Sequence, residues 1–326
     1  LITVKQRKSI IAITDFKGAV LGILKQKKMP ILTSEFISHS FRELQAFIVK
    51  ELENTDGQSR FISDEWVREE GGGGRTMIIG EGAKIIKGGV AFSKVEGEIT
   101  SLMRDQMGMQ GQRFLATGVS IVIHSRHPMH PTMHMNVRYF ETDQGEHWFG
   151  GGIDLTPIYV DPFLATSFHR SLKAACDAYS EKAYDQYKAW ADDYFYLPHR
   201  NETRGVGGIF FDHVKPDNEE EKQRVFAFCL ELGRLFPVLY AAQTVSEHPE
   251  ATEQQLTWQA LRWSRYVEYN LLFDRGTRFG IVSNGRTESI LLSMPPVAHW
   301  KYNYHPEEGS AELQTLQYLK KDVVWI

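Results

Sequence analysis

The chain has 326 residues, 42% hydrophobic and 24% charged, with a formal net charge of −4. That composition suits a globular protein with a sizeable core and excludes a disordered chain. The acidic balance, with no basic stripe beyond the amino-terminal segment, argues against nucleic-acid binding, so any anionic ligand needs a local basic pocket.

Residues 1–34 carry seven Lys or Arg against the single acid Asp15, a composition shared by transit peptides and ordinary basic arms. We therefore set 1–33 apart as a basic amino-terminal segment and read 34–326 as one domain. Cys176 and Cys229, the only cysteines, cannot build a disulfide framework or an iron–sulfur site and read as reduced thiols of an intracellular protein. The expected setting is cytoplasmic, with mitochondrial as the alternative, and no stretch approaches the roughly 20 apolar residues of a membrane span.

Residues 34–53 show helical apolar spacing after a serine suited to capping. The glycines at 71–74 break that pattern and lead into two short strands around a glycine turn at 75–97. The turn is no P-loop, because it lacks the Gly-Lys-Ser/Thr ending. Two more strands fill 118–141, and WFGGGIDLTPIYVD reads as another, its glycines permitting close backbone approach. Helices are expected through 161–195, a strand at 207–212 and an amphipathic helix at 219–242. A helix near 252–264 is expected to give way to a strand, on the alternation of Val267, Tyr269, Leu271 and Phe273. A short helix stopped by Pro295 and Pro296 follows, and a final helix opens at Pro306, Glu307 and Glu308. Strands gathered in hairpins favour an α+β fold with a mostly antiparallel sheet.

The densest chemical signal is VSIVIHSRHPMHPTMHMNVR at 119–138, which holds His124, His127, His130 and His134. Pro128 and Pro131 prevent a helix through it. In extended chain, Val119, Ile121 and Ile123 share one face and Ser120, Val122 and His124 the other. Beyond the loop, Met133, Met135, Val137 and Tyr139 oppose His134, Asn136 and Arg138. The loop residues His127 and His130 read as solvated, while His124 and His134 are either core or functional histidines. Arginines beside Gly or Asn recur at Arg75, Arg138, Arg275 and Arg286, as a ligand with several carboxylates would need; Arg75 alone reads as a surface residue near a turn. Asp274, before Arg275 and Gly276, is either a turn contact or a chemical group. His124, His134, His169 and His199 could ligate a metal in principle, though their spacing matches no compact motif.

Taken in order, GGGGRTMIIGEGAKIIKGGVAFSKVEG, GVSIVIHSRHPMHPTMHMNVRYFE, WFGGGIDLTPIYVD, YKAWADDYFYLPHRNETRGVGGIFFD and YVEYNLLFDRGTRFGIVSNGRTESILLSMPP resemble the signature blocks of the oxygen-dependent coproporphyrinogen III oxidases, from about Ser34 to the end of the chain. The resemblance implies a large flat antiparallel sheet with helices on both faces, and a homodimer. It further implies oxidative decarboxylation of two propionates of coproporphyrinogen III to vinyl groups in haem biosynthesis, giving protoporphyrinogen IX with O2 as co-substrate. No cofactor is required, because the porphyrinogen itself supplies electrons; a divalent metal remains open.

Carried over by position, the resemblance makes His134 the proton donor, sets Asp274 against the pyrrole N–H groups and pairs Arg275 with a propionate. Ser120, Asn136, Val137 and Arg138, with Asn284, Gly285 and Arg286, become substrate-binding, and His124, His134, His169 and His199 become possible metal ligands. The chain departs from the pattern at Asn284, where Gly or Ser is expected. A non-catalytic tetrapyrrole-binding protein and a metal-dependent hydrolase or oxygenase built on the histidines are the alternatives.

Overall fold

The fold is given by a computed structural model that describes residues 31–101, 103–104, 110–282 and 285–326. Residues 1–30, most of the basic segment, and Asn284 lie outside the described residues.

Helix α1 (Ser34–Asp56) starts where the Thr33 side chain accepts the N–H of Phe36, and it ends at Gly57 in the left-handed region. Its 3–4 spacing buries Ile37, Phe41, Leu44, Ile48 and Leu52. The last residue, Asp56, accepts N–H bonds from Gln58, Ser59, Ala83, Lys84 and Ile85. These tie the helix end to the turn between the second and third strands. A Cβ on Gly82 would lie 2.3 Å from the Asp56 carboxylate, so the knot requires glycine there.

Among the described residues, seven strands form one sheet: β1 (Ile62–Val67), β2 (Gly72–Gly80), β3 (Ile85–Glu98), β4 (Arg113–Ser125), β5 (Thr132–Thr142), β6 (His147–Thr156) and β9 (Gly208–Val214), adjacent in that order. Every pairing is antiparallel. The short pair β7 (Tyr196–Leu197) and β8 (Glu202–Thr203) stands apart. The glycines at 72–74 lie inside β2 and do not break the pattern as expected. Gly74 pairs with Trp66 on β1, and the indole packs where a Cβ would stand.

One face of the sheet carries Val90, Val119, Ile121, Ile123, Met133, Met135, Val137, Tyr139, Phe149 and Ile153, all in the main apolar core. Against it pack α1, α2 (Pro162–Tyr179) and α4 (Glu219–Gln243). Helix α4 has the length and apolar composition of a membrane span, contrary to expectation, but 67% of that stretch is buried within the protein, where it forms the centre of the core. Helix α3 (Ala183–Tyr194) packs on β9.

The opposite face is covered by α5 (Glu253–Leu272), α6 (Arg275–Val282), α7 (Thr287–Ile290) and the 3-10 turn Leu291–Ser293. The expected strand at 266–273 is instead the end of α5. A reciprocal cap between Thr252 and Gln255 starts this helix. The apolar alternation misled because Tyr266, Tyr269 and Phe273 also keep helical spacing; Leu271 is 43% exposed where a half-buried strand would hide it. The final helix, α8 (Ala311–Tyr318), starts later than expected. Ser310 caps it after Gly309 takes φ +77°, leaving Glu307 and Glu308 in the preceding turn.

Candidate active site

Between the sheet and the α5–α7 cover lies a cavity of about 430 Å³, within the range of small-molecule sites. Its floor is made of the small residues that β3 and β4 turn away from the core: Gly89, Ala91, Ser93, Gly118 and Ser120. Register orders the polar groups. Val122 pairs with His134 and His134 with Asp154; Ser120 pairs with Asn136 and Asn136 with Gly152; Gly118 pairs with Arg138 and Arg138 with Gly150. His134, Asn136 and Arg138 therefore stand in consecutive rows on one face, and each lines the cavity with Ser120 and Asp274. Val137 also lines it, although its side chain packs in the apolar core.

His134 Nδ1 lies 2.8 Å from Asp154 Oδ1. The carboxylate also accepts from Arg204, NH2 to Oδ1 at 2.6 Å and Nε to Oδ2 at 3.2 Å. Burial by itself would raise the Asp154 pKa, but the Arg204 charge and the His134 bond hold it below the ordinary carboxylate value. An ionised acceptor fixes the proton on His134 Nδ1 and leaves Nε2 as the free ring nitrogen. Arg204, 3% exposed, is wedged among the rings of Phe195, Tyr266 and Tyr269 with its guanidinium carbon 4.5, 4.7 and 4.6 Å from their centres. Burial works against its charge, but Asp154 more than offsets this and raises its pKa.

Arg138 is held by Asn136 Oδ1 at 2.8 Å and Asp212 Oδ1 at 2.9 Å. Gly150 makes room for this pair, since a Cβ there would meet both the guanidinium and the Asp212 carboxylate. Asp274 serves two ends. Its Oδ2 accepts the Thr277 N–H at 2.7 Å at the start of α6, and its Oδ1 accepts the Tyr194 hydroxyl at 2.9 Å. The same hydroxyl accepts the Arg275 N–H at 3.2 Å, and the exposed Arg275 guanidinium lies 5.8 Å from the Tyr194 ring centre. Tyr194 lines the cavity and stacks on Phe210, 4.0 Å between ring centres. Arg286 does not line the cavity; it pairs with Asp64 on β1, and Gly285 donates to Gly280 O.

The four candidate metal histidines are not brought together. His124 bonds Thr132 Oγ1 and Ser293 O, His169 bonds the Tyr184 hydroxyl and Val206 O, and His199 bonds Glu268. Burial pushes His124 down to about 3 and His169 down to about 4. Among the described residues no group of three or more His, Cys, Asp or Glu could hold a metal ion. Of the loop histidines expected to be solvated, His130 is buried, 7% exposed, and bonds Ser246 O, while His127 is half-buried and bonds Pro249 O in an exposed position. They tie the β4–β5 loop to the segment after α4. Arg75, expected as a surface residue, is half-buried and donates to Gln45 of α1.

Sequence reasoning missed Asp154, Arg204, Tyr194, Tyr266 and Asn270. Asp154 carried a signal, being the one acid in an otherwise apolar, glycine-rich strand segment, where an unpartnered charge is too costly to bury. Arg204, followed by glycine as Arg275 is, was its available partner.

Residues 36–325 match the coproporphyrinogen III oxidase family. The chain belongs to that family. It is 42% identical, over an alignment of 310 residues, to an oxygen-dependent coproporphyrinogen-III oxidase of Synechococcus sp. (strain CC9605), an alignment that covers 87% of this chain and 85% of the relative. The family match spans the whole sheet and its cover, so every cavity residue named above lies within it.

Proposed function

We propose that the protein converts coproporphyrinogen III to protoporphyrinogen IX in haem biosynthesis, decarboxylating two propionates oxidatively with O2. The family match over 36–325 carries this reading, and the cavity accounts for its chemistry. Each propionate becomes a vinyl group by losing CO2 and a hydride equivalent, two electrons and one proton. O2 takes up both electrons and needs one further proton. His134 supplies that proton from Nε2 when its ring carries a second proton there, the charge being balanced by Asp154 at Nδ1, 2.8 Å away, and the ring returns to the neutral form with its hydrogen on Nδ1. The substrate's own propionate arm supplies both electrons, so the stoichiometry calls for no redox cofactor.

The ring of the substrate lies over Ala91, Gly118 and Ser120, beside the point where the roof meets Gly89. The Asp274 carboxylate faces the pyrrole N–H groups and stabilises the charge that develops as the ring is oxidised. Arg275 at the rim takes a propionate, while Asn136, Val137 and Arg138 contact the substrate from β5. The last loop, Asn284, Gly285 and Arg286, contributes only where substrate draws Arg286 away from Asp64. The basic segment 1–33 precedes a single catalytic domain, 34–326, and joins it only at its end, where Leu32 packs in the core and Thr33 caps α1. The protein works as a homodimer with 266–292 near the interface, a placement supported by the exposed Leu271, Leu272, Ile281 and Leu291 on that stretch. A cytoplasmic setting is supported by Cys176 and Cys229 being free thiols.

Incubation of the protein with coproporphyrinogen III in air should give the monovinyl and divinyl products, with none under argon and undiminished turnover after treatment with a strong chelator. Tight binding without product would favour a tetrapyrrole carrier. Loss on chelation, restored by one divalent metal, would return the histidines to the role of ligands.

A further inference from the structure

The roof of the cavity is a short segment, 289–293, that reaches the sheet at few points. Leu292 drops onto Gly89, where a Cβ would lie 2.1 Å from the leucine side chain. Ser289 Oγ meets Thr76 Oγ1 at 3.1 Å. At the far end two consecutive carbonyls are gripped from adjacent strands, Ser293 O by His124 Nε2 at 2.9 Å and Met294 O by Lys87 Nζ at 2.6 Å. Lys87 and His124 are register partners on β3 and β4, so both grips act from one row of the sheet.

The proton order around His124 is determined by its neighbours. Ser293 O can only accept, so Nε2 carries the hydrogen and Nδ1 is left as an acceptor. Thr132 Oγ1, 3.1 Å from Nδ1, donates its hydroxyl there and itself receives the Trp263 Nε1–H at 3.2 Å. The imidazole is fully buried and held edge-on between Trp263 and Tyr266, with ring centres 5.8 and 5.4 Å away. A donor chain thus runs from Trp263 of α5 through Thr132 of β5 and His124 of β4 into the roof. A wet or exposed histidine would need none of this.

We propose that His124 is a positioning residue, whose Nε2–H, together with Lys87, clasps the roof segment onto the sheet and sets the height at which Ser289, Ile290, Leu292 and Ser293 meet the substrate. It touches no reacting atom. Its place in catalysis rests on the activity proposed above, but the clasp itself can be read without turnover.

Hydrogen–deuterium exchange of peptides covering 286–296 is measured in wild type, His124→Gln, His124→Phe and Lys87→Met, alongside steady-state kinetics with coproporphyrinogen III. Phe fills much of the ring's space but cannot donate, leaving Ser293 O unpartnered. It should speed exchange over 289–294 and raise KM roughly 5- to 150-fold, the loss of one buried hydrogen bond, with kcat changed less. Gln keeps an N–H near the Nε2 position and should recover most of both. Wild-type exchange in His124→Phe, or a Gln variant as impaired as the Phe variant, overturns the proposal. If the Phe variant does not fold, Lys87→Met decides alone: faster exchange with raised KM supports the clasp, and unchanged exchange overturns it. Absence of turnover in wild type would sink the activity and leave the exchange arms to judge the clasp.

Discussion

Asp154→Asn keeps the shape of the buried carboxylate and removes its charge, leaving Arg204 inside the protein with Asn270 Oδ1, at 2.7 Å, as its remaining strong acceptor. Breaking one partner of a buried ion pair typically costs 3–5 kcal/mol. Because the Asn oxygen can still accept one guanidinium N–H, the low end applies, about 3 kcal/mol. With an unfolding entropy of about 2.1 cal/mol/K per residue, a domain of this length should lose about 5 °C in Tm. Chemistry suffers separately. His134 and Arg204 both donate to Asp154, and an amide has one oxygen for two donors, so if Arg204 takes it, His134 Nδ1 meets an N–H2 group. The imidazole must then surrender the Nδ1 proton, and its charged form loses its counter-ion. Turnover should fall on the order of 100-fold, the scale of a displaced general acid.

The pH dependence of stability follows from the same geometry. Asp154 is depressed in the folded state, so its contribution is complete above the unfolded carboxylate pKa of about 3.9 and is lost as pH falls through the lower folded value. The Tm gap between wild type and Asp154→Asn should therefore be widest near neutrality and narrow below about pH 4. Thermal melts at pH 7 and pH 3.5, with kcat at pH 7, test both parts. An Asn variant with wild-type Tm and kcat would refute the view that Asp154 holds both residues, and a gap that widens on acidification would refute the assigned sign.

Asp274→Asn should fold normally, because Asn can also accept the Thr277 N–H that starts α6, and should lower kcat with little change in KM; a KM-only defect would show that the acid merely binds. Arg275→Ala should weaken substrate affinity by about 1.5–3 kcal/mol, roughly 10- to 150-fold, with only partial recovery in Arg275→Lys; equal loss in both kcat and KM would place it closer to the chemistry. Sedimentation at micromolar concentration should give a dimer, and charged substitution of Leu272 should shift it toward monomer; a wild-type monomer would remove the interface from 266–292.

The parity of β4 and β5 was legible because both faces of those strands are diagnostic: an unbroken apolar side for the core and a Ser, His, Asn and Arg side that no core would choose. That parity alone places His134, Asn136 and Arg138 together on one face. The end of α5 was not legible, because Tyr266, Tyr269 and Phe273 satisfy the helical period and their neighbours also satisfy the strand period. Only the exposure of Leu271 and the capping box at Thr252 separate the two, and exposure is a property of the fold. His124 and His169 show a further limit. Buried, neutral and bonded at both nitrogens, they are indistinguishable in a sequence from ligands, since the partners that decide the matter include the carbonyls of Ser293 and Val206.

What the strands carry opposite the core explains why a cavity exists here. A sheet and its covering helices ordinarily fill the layer between them with side chains. Here the cavity side of β3 presents Gly89, Ala91 and Ser93 and that of β4 presents Ala116, Gly118 and Ser120, while the core side of the same strands carries Val, Ile and Phe. The protein thus supplies half a layer, with polar groups from β5 on the sheet side and the Asp274 carboxylate in the cover. A broad ligand with an apolar periphery, hydrogen-bond donors at its centre and charged arms would complete that layer, and a reduced tetrapyrrole with carboxylate arms has that distribution of groups. Size alternation along these strands is therefore as much a statement about the ligand as about the fold.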